Sequence, residues 1–146
     1  MSALNSLEAL AAIQSIKQLK AQYFRFMDTK QWDDLANVFT DDLYADFRDA
    51  PGHLTEGRTP YMEMLVDAIG EATTVHQGHT PEITLTSETT ATGLWAMFDI
   101  VDHPDFLLEG WGHYHESYRK EQGNWKICRI KLTRLRLLQN GEEQAI

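Results

Sequence analysis

The chain has 146 residues, which suits one domain with its own hydrophobic core. Its formal net charge of −9 at pH 7 argues against a nucleic acid partner, because so acidic a surface repels phosphates. A single cysteine, no signal-peptide pattern and no apolar run near the roughly 20 residues of a membrane span together predict a cytoplasmic protein that does not enter a membrane.

Two helices and a short strand are predicted first. The helix over residues 4–28 and a short helix over 32–39 show apolar residues at helical spacing, and residues 43–47 indicate a strand. The apolar stripe of the first helix consists of Leu10, Ile13, Ile16, Leu19, Tyr23 and Met27.

A third helix follows a loop that holds proline and glycine (residues 51–57). Thr59 and Pro60 are its predicted N-cap and first position, and Gly70 its end. The apolar period then changes to two, which predicts strands over residues 83–86, 90–101, 107–119 and 125–138. Helices followed by a long antiparallel meander indicate an α+β fold, in which the long last strands curl around the helices.

Two stretches carry a family resemblance. One runs from Ile16 to Asp28 and continues in Trp32-Asp-Asp-Leu35; the other is His76-Gln-Gly-His-Thr-Pro, extended to Gly93. With the order of elements, they resemble the nuclear transport factor 2-like superfamily and its SnoaL-like members. The closest resemblance that we find is to bacterial bile-acid 7α-dehydratase, and scytalone dehydratase is more distantly similar.

The resemblance implies one SnoaL-like domain over residues 1–146. Its fold would be a cone-shaped α+β barrel, with the N-terminal helices packed in a strongly curved mixed or antiparallel sheet. It also implies a homotrimeric enzyme without cofactor. The implied substrate is an apolar multi-ring small molecule, which could arrive as a coenzyme A thioester.

The implied catalytic residues are Tyr23, Asp28 and His76. A neutral imidazole at His76 can take up a proton and return it, and a carboxylate at Asp28 would fix its tautomer. Two structural roles compete: His76 could simply enter a strand, and Asp28 could cap the second helix.

Core packing would by itself explain the ring of Tyr23, although a buried hydroxyl still needs a partner. Five residues of regular helix turn by about 500°, which leaves Tyr23 and Asp28 about 140° apart. We therefore expect the two side chains to meet one ligand only if the helix ends or tightens before Asp28.

The resemblance also marks Asp99 and Arg134 as substrate-binding residues, and Trp95, on the strand face of Asp99, is a third candidate. Each charge is in line with apolar residues, and a buried charge costs several kcal/mol unless it is paired. The two charges therefore pair with each other, contact a polar ligand, or lie near strand ends and reach water.

His113 and His115 share one strand face, as two metal ligands would. Two histidines are a weak signal, since a catalytic zinc takes three protein ligands, and no metal site is predicted.

Three functions remain open. The first is a dehydratase, a carbon–oxygen lyase that removes water from a hydroxylated polycyclic ketone or enone such as a steroid, bile acid or polyketide. The second is a steroid-type isomerase or polyketide cyclase with Asp99 as the base. The third is a non-catalytic protein that binds small molecules or serves as an assembly subunit.

Overall fold

The first helix of the computed structural model, which describes residues 4–146, is α1 (Ser6–Asp28). Asn5 and Glu8 cap it reciprocally, each side chain accepting the other's backbone N–H at 2.9 and 3.0 Å. Most of the predicted stripe is buried, but Leu10 is 64% exposed. The buried residues of α1 are Ala12, Ile16, Leu19, Lys20, Tyr23 and Met27.

The second helix is shorter than predicted. This helix, α2 (Trp32–Ala36), ends at Ala36, and Phe39 already belongs to strand β1 (Phe39–Asp46). Phe39 pairs with Ile127 of a later strand, and this pairing draws the chain out of the helix. A second strand, β2 (Leu54–Glu56), pairs antiparallel with β1 inside the segment predicted as a loop.

Helix α3 (Arg58–Ile69) begins earlier than predicted, with Gly57 rather than Thr59 as its N-cap. Gly57 has φ +96°, a conformation that residues with a Cβ rarely adopt, so the glycine decides where this helix starts.

The remaining chain forms β3 (Thr73–Leu85), β4 (Thr90–His103), β5 (Phe106–Glu121), β6 (Asn124–Gln139) and the short β7 (Glu142–Glu143). The sheet order is β2-β1-β6-β5-β4-β3, with β7 beside β6; β1 and β6 are parallel and the other pairs antiparallel. The curled sheet is open, since β2 and β3 are its edges. The expected α+β cone is thus confirmed.

Strand β3 starts ten residues before the predicted strand, because β4 is long enough to pair with all of it. This places His76 in a strand, directly opposite Asp99 of β4.

Two register shifts between β5 and β6 orient the last strand. The first lies at Cys128 and turns both Ile127 and Ile130 into the core, whereas Cys128 itself is half-buried. The second lies at Leu135, which is 70% exposed, while the preceding Arg134 points inward with a side chain 4% exposed. Regular alternation would put Cys128 on the inner face with Arg134, and the register shifts prevent this.

Within residues 4–146, the helices are all too short or too polar to span a membrane.

Candidate active site

A cavity of about 240 Å³ lies between α1, α3 and the inner face of the sheet. Its wall is mostly apolar, and several polar side chains converge on it, as is typical of small-molecule sites. The apolar lining includes Met27, Phe47, Pro51, Met64, Leu65, Ala68, Ile69, Val101 and Leu132. The polar lining consists of Tyr23, His53, Tyr61, His76, Asp99, Tyr114 and Arg134.

His76 and Asp28 form a hydrogen-bonded pair at one wall of this cavity. Asp28 Oδ1 lies 2.7 Å from His76 Nδ1, and Asp28 Oδ2 accepts the His76 backbone N–H at 2.8 Å. The hydroxyl of Thr74 donates to Asp28 Oδ1 at 2.9 Å. Asp28 therefore forms hydrogen bonds with residues of β3 and does not cap the next helix. The N-cap of that helix is Gln31, which makes no side-chain cap bond.

The pairing assigns the imidazole tautomer. An ionised carboxylate can only accept hydrogen bonds, so Nδ1 of His76 carries the proton that it shares with Asp28. Nε2 is then the basic nitrogen, and among residues 4–146 it has no hydrogen-bond partner. The imidazole is 8% exposed, so this base is held in a nearly dry wall of the cavity.

Tyr23 lines the cavity directly, whereas Asp28 lies behind His76 and is not part of the lining. The condition for Tyr23 and Asp28 to meet one ligand, that α1 ends or tightens before Asp28, is not met, because the helix runs through Asp28 and Thr29 N–H still bonds to the Arg25 carbonyl at 3.0 Å. The two α1 residues need not converge, since the imidazole reaches from the carboxylate to the cavity.

Two further phenols, Tyr61 and Tyr114, lie beside Tyr23 and were not identified from the sequence. All three are 1% exposed, and burial raises the pKa of each phenol above its ordinary value. The hydroxyls are therefore neutral donors near pH 7. One signal was available for Tyr114: in a strand, a residue between two outward-facing histidines must point inward.

Asp99 and Arg134 pair with each other across the strands. Arg134 Nη1 and Nη2 donate to the two Asp99 oxygens at 2.6 and 3.1 Å, and the side chains are 4% and 6% exposed. Of the three arrangements left open for these two charges, the structure shows the mutual pair. Gly110 leaves room for it, because a Cβ there would collide with Arg134 Nη1 and approach Asp99 Oδ1 to 2.6 Å. Arg134 Nε is buried and makes no hydrogen bond with the described residues.

Trp95 is placed elsewhere. Its Nε1 donates to the Tyr118 hydroxyl at 2.9 Å in a buried layer behind the cavity lining, to which Trp95 does not belong. The expected role of Trp95 in substrate binding therefore has no geometric support, because the indole bonds to Tyr118 and packs against Gly78 instead of lining the cavity.

His113 and His115 stand on the outer face of the sheet, with ring centroids 6.4 Å apart. No group of three or more histidine, cysteine, aspartate or glutamate residues within residues 4–146 is arranged to hold a metal ion.

Known proteins share this architecture. The SnoaL-like domain family matches residues 8–131. A candidate scytalone dehydratase from Novosphingobium aromaticivorans has 24% identity and a TM-score of 0.81, over 90% of this chain and 89% of that one. A hexachlorocyclohexane dehydrochlorinase, LinA type 2, has 16% identity and a TM-score of 0.83, over 97% and 94% of the two chains.

A candidate aromatic ring hydroxylase from the same Novosphingobium species has 20% identity and a TM-score of 0.81, over 86% of this chain and 91% of that one. At such identities the likeness shows the common fold, which hosts more than one kind of reaction. The family match spans most of the chain, and the protein belongs to the SnoaL-like domain family of the nuclear transport factor 2-like superfamily.

Proposed function

We propose that this protein is a cofactor-independent dehydratase that uses His76 as its base. The carrying observation is the imidazole in the cavity wall, with Nδ1 held 2.7 Å from the Asp28 carboxylate. Such a carboxylate holds the imidazole in one tautomer and one orientation, so that the unprotonated Nε2 can accept a proton. An apolar binding pocket without chemistry has no need of a base prepared in this way, which favours an enzyme over a non-catalytic binding protein.

In the proposed reaction, a substrate carbonyl acidifies a neighbouring or vinylogous C–H. His76 Nε2 takes that proton as the C–H electron pair moves toward the carbonyl, and the Tyr23 hydroxyl donates to the developing oxyanion. The electron pair then returns to form the C=C bond while the C–O bond breaks. The imidazolium gives its proton to the departing hydroxyl, so water leaves and His76 is restored.

The substrate that we propose is a hydroxylated polycyclic ketone or enone, such as a steroid, bile acid or polyketide. The largely apolar lining supports this class. The cavity volume of about 240 Å³ lies just below the roughly 300–1,000 Å³ of most small-molecule pockets, so it encloses the reacting rings only. The rest of the molecule, or a coenzyme A carrier, would extend past the exposed loop residues Pro51, Gly52 and His53 at the mouth.

The second enzyme hypothesis gives the role of base to Asp99. This carboxylate also lines the cavity, but Arg134 occupies both of its oxygens at 2.6 and 3.1 Å. Both of its oxygens are thus occupied, and neither is free to take a proton from a substrate. We therefore prefer His76 as the base, and we propose that Asp99 keeps Arg134 in place.

The test compares His76→Ala, Asp99→Asn and the control His79→Ala, an exposed histidine three residues along the same strand. Hydroxylated cyclic ketones and enones of one to four rings are screened for loss of water by mass spectrometry. We expect His76→Ala to lower kcat by about 10²-fold or more and His79→Ala to leave it unchanged. A His76→Ala variant as fast as wild type would refute the dehydratase, and a larger loss in Asp99→Asn would favour the isomerase or cyclase.

We also propose a cytoplasmic homo-oligomer, with a trimer implied by the family resemblance. A free cysteine suits a reducing compartment. The outer face of the sheet carries the aromatic pair Phe98 and Trp111, with ring centroids 5.2 Å apart and planes tilted by 39°, and the exposed Leu135. Light scattering after size-exclusion chromatography tests the assembly: Trp111→Glu should shift the mass toward that of a monomer, and a wild-type monomer would refute it.

A further inference from the structure

A fully buried ion pair lies behind the tyrosines of the cavity. Lys20 Nζ is 2.7 Å from Glu116 Oε2, and both side chains are 0% exposed. The other oxygen of Glu116 accepts the Tyr118 hydroxyl at 2.8 Å, and that hydroxyl accepts Trp95 Nε1 at 2.9 Å. The pair is thus anchored on the far side from the cavity by hydrogen bonds between buried side chains.

The ammonium of Lys20 also lies on aromatic faces. It is 3.7 Å from the ring centroid of Tyr23, 3.6 Å from that of Tyr114 and 4.8 Å from that of Phe24. These are the distances of cation–π interactions, which strengthen when the cation is desolvated. The rings of Tyr23 and Tyr114 stand nearly perpendicular, at 81°, so the one cation contacts both of them.

Stability alone does not account for this arrangement. Taking two charges out of water is costly, and replacing a buried ion pair by apolar side chains is often neutral or stabilising. The pair contacts two of the phenols that line the cavity, whereas Lys20 and Glu116 themselves are not part of the lining.

We propose that Lys20 is a positioning residue: its ammonium, held by Glu116, fixes the rings of Tyr23 and Tyr114 in the orientation in which both line the cavity. This inference rests on the proposed function, in which the Tyr23 hydroxyl stabilises an oxyanion. The cation on the ring face also draws electron density from the phenols, which makes their hydroxyls stronger hydrogen-bond donors. Lys20 touches no substrate and acts only through the tyrosines.

The test uses the paired variant Lys20→Met/Glu116→Gln, which removes both charges with little change in shape. The glutamine can still accept the Tyr118 hydroxyl. The control is Lys17→Met, an exposed lysine on the same helix. If the paired variant does not fold, Glu116→Asp takes its place, because it keeps both charges but withdraws the carboxylate from the ammonium by one methylene.

One measurement needs no turnover. The protein is labelled with 3-fluorotyrosine, and the ¹⁹F resonances of its five tyrosines are assigned by single Tyr→Phe changes. We expect narrow resonances for Tyr23 and Tyr114 in wild type and in Lys17→Met, and broadened or split ones in the paired variant. The partly exposed Tyr44 should not change. Identical spectra for Tyr23 and Tyr114 in wild type and variant would overturn the inference.

The kinetic measurement separates positioning from general stability. We expect kcat of the paired variant to fall about tenfold or more, part of the 10²–10³-fold that loss of an oxyanion donor costs, with KM nearly unchanged. The loss should disappear in a Tyr23→Phe background, since Lys20 acts through that phenol. An equal loss in both backgrounds would overturn the inference. Absence of turnover in wild type would defeat the proposed function, and the fluorine spectra would still decide on Lys20.

Discussion

Asp28 binds His76 twice, through ring Nδ1 at 2.7 Å and through the backbone N–H at 2.8 Å. The carboxylate stands at the last residue of α1, and the histidine lies 48 residues later on β3. One side chain thus fastens the helix to the edge strand and also holds the imidazole in one orientation. A change at Asp28 should therefore affect both stability and catalysis.

We predict that Asp28→Asn lowers both the stability of the protein and its kcat. In the wild type, one carboxylate oxygen of Asp28 accepts the His76 backbone N–H and the other accepts the ring Nδ1–H. An asparagine has only one accepting oxygen, so its NH₂ group must face one of these two donors. The free energy of unfolding should fall by about 1–3 kcal/mol, because a buried donor loses its acceptor. The value of kcat should fall by about 10²–10⁴-fold, since the tautomer is no longer held.

Urea unfolding and steady-state kinetics measure the two effects of Asp28→Asn. Asp33→Asn on α2 serves as a control, because this aspartate is exposed. A variant with full activity would show that the carboxylate does not orient the base.

Removing one partner of the second charge pair should be costly. In Arg134→Met the Asp99 carboxylate stays buried without its guanidinium, which costs about 3–5 kcal/mol. The double variant Asp99→Asn/Arg134→Met should recover most of that loss, because no buried charge remains. Arg136→Met, on an exposed arginine of the same strand, should change stability by less than about 0.5 kcal/mol. Chemical denaturation measures these changes. A loss in Arg134→Met as small as that in Arg136→Met would show that the Asp99 carboxylate is not left buried and unpaired.

Gly110 should tolerate no side chain. In Gly110→Ala the new methyl group collides with the guanidinium of Arg134, whose Nη1 is held 2.6 Å from Asp99. We expect a destabilisation of about 1–3 kcal/mol, the usual cost of overpacking, together with weaker substrate binding. Thermal unfolding and KM give the two values. If Gly110→Ala in an Arg134→Ala background costs as much as in wild type, the collision is not the cause.

The buried lysine predicts a pH dependence of stability. Burial lowers the pKa of Lys20 to about 8, although Glu116 raises it in part. Between that value and the ordinary lysine pKa of about 10.4, the unfolded chain binds more protons at this site than the folded protein. The free energy of unfolding therefore rises with pH in this window.

Between about pH 7.5 and 9.5, we expect the free energy of unfolding of wild type to rise on the order of 1–2 kcal/mol more than that of Lys20→Met/Glu116→Gln. The titratable groups that face the ammonium are Glu116, Tyr23 and Tyr114. The raised pKa values of the two phenols keep both tyrosines neutral over this range. Urea titrations of both proteins at the two pH values provide the measurement. A stability difference that does not vary with pH would contradict a buried titrating lysine.

The sequence predicted features that depend on near neighbours. Apolar spacing located α1, the period of two located the later strands, and the alternation from Trp95 to Asp99 correctly put both residues on one face, although it left open whether the charge is paired or reaches water. The start of α3 was predicted less accurately. Gly57 rather than Thr59 is its N-cap, because the φ of +96° at Gly57 decides where the helix can begin.

The amino-acid sequence by itself determined the order of helices and strands and named Asp28 and His76 as partners, because local periodicity and a family pattern need no knowledge of distant contacts. Only the tertiary structure decided that β3 begins at Thr73, that a register shift turns Arg134 inward, and that Lys20 meets a glutamate 96 residues away. The physical reason is that strand register and the burial of a charge are set by long-range pairing. Whether a lysine on a helix faces water or a buried carboxylate is decided only when the sheet packs against that helix.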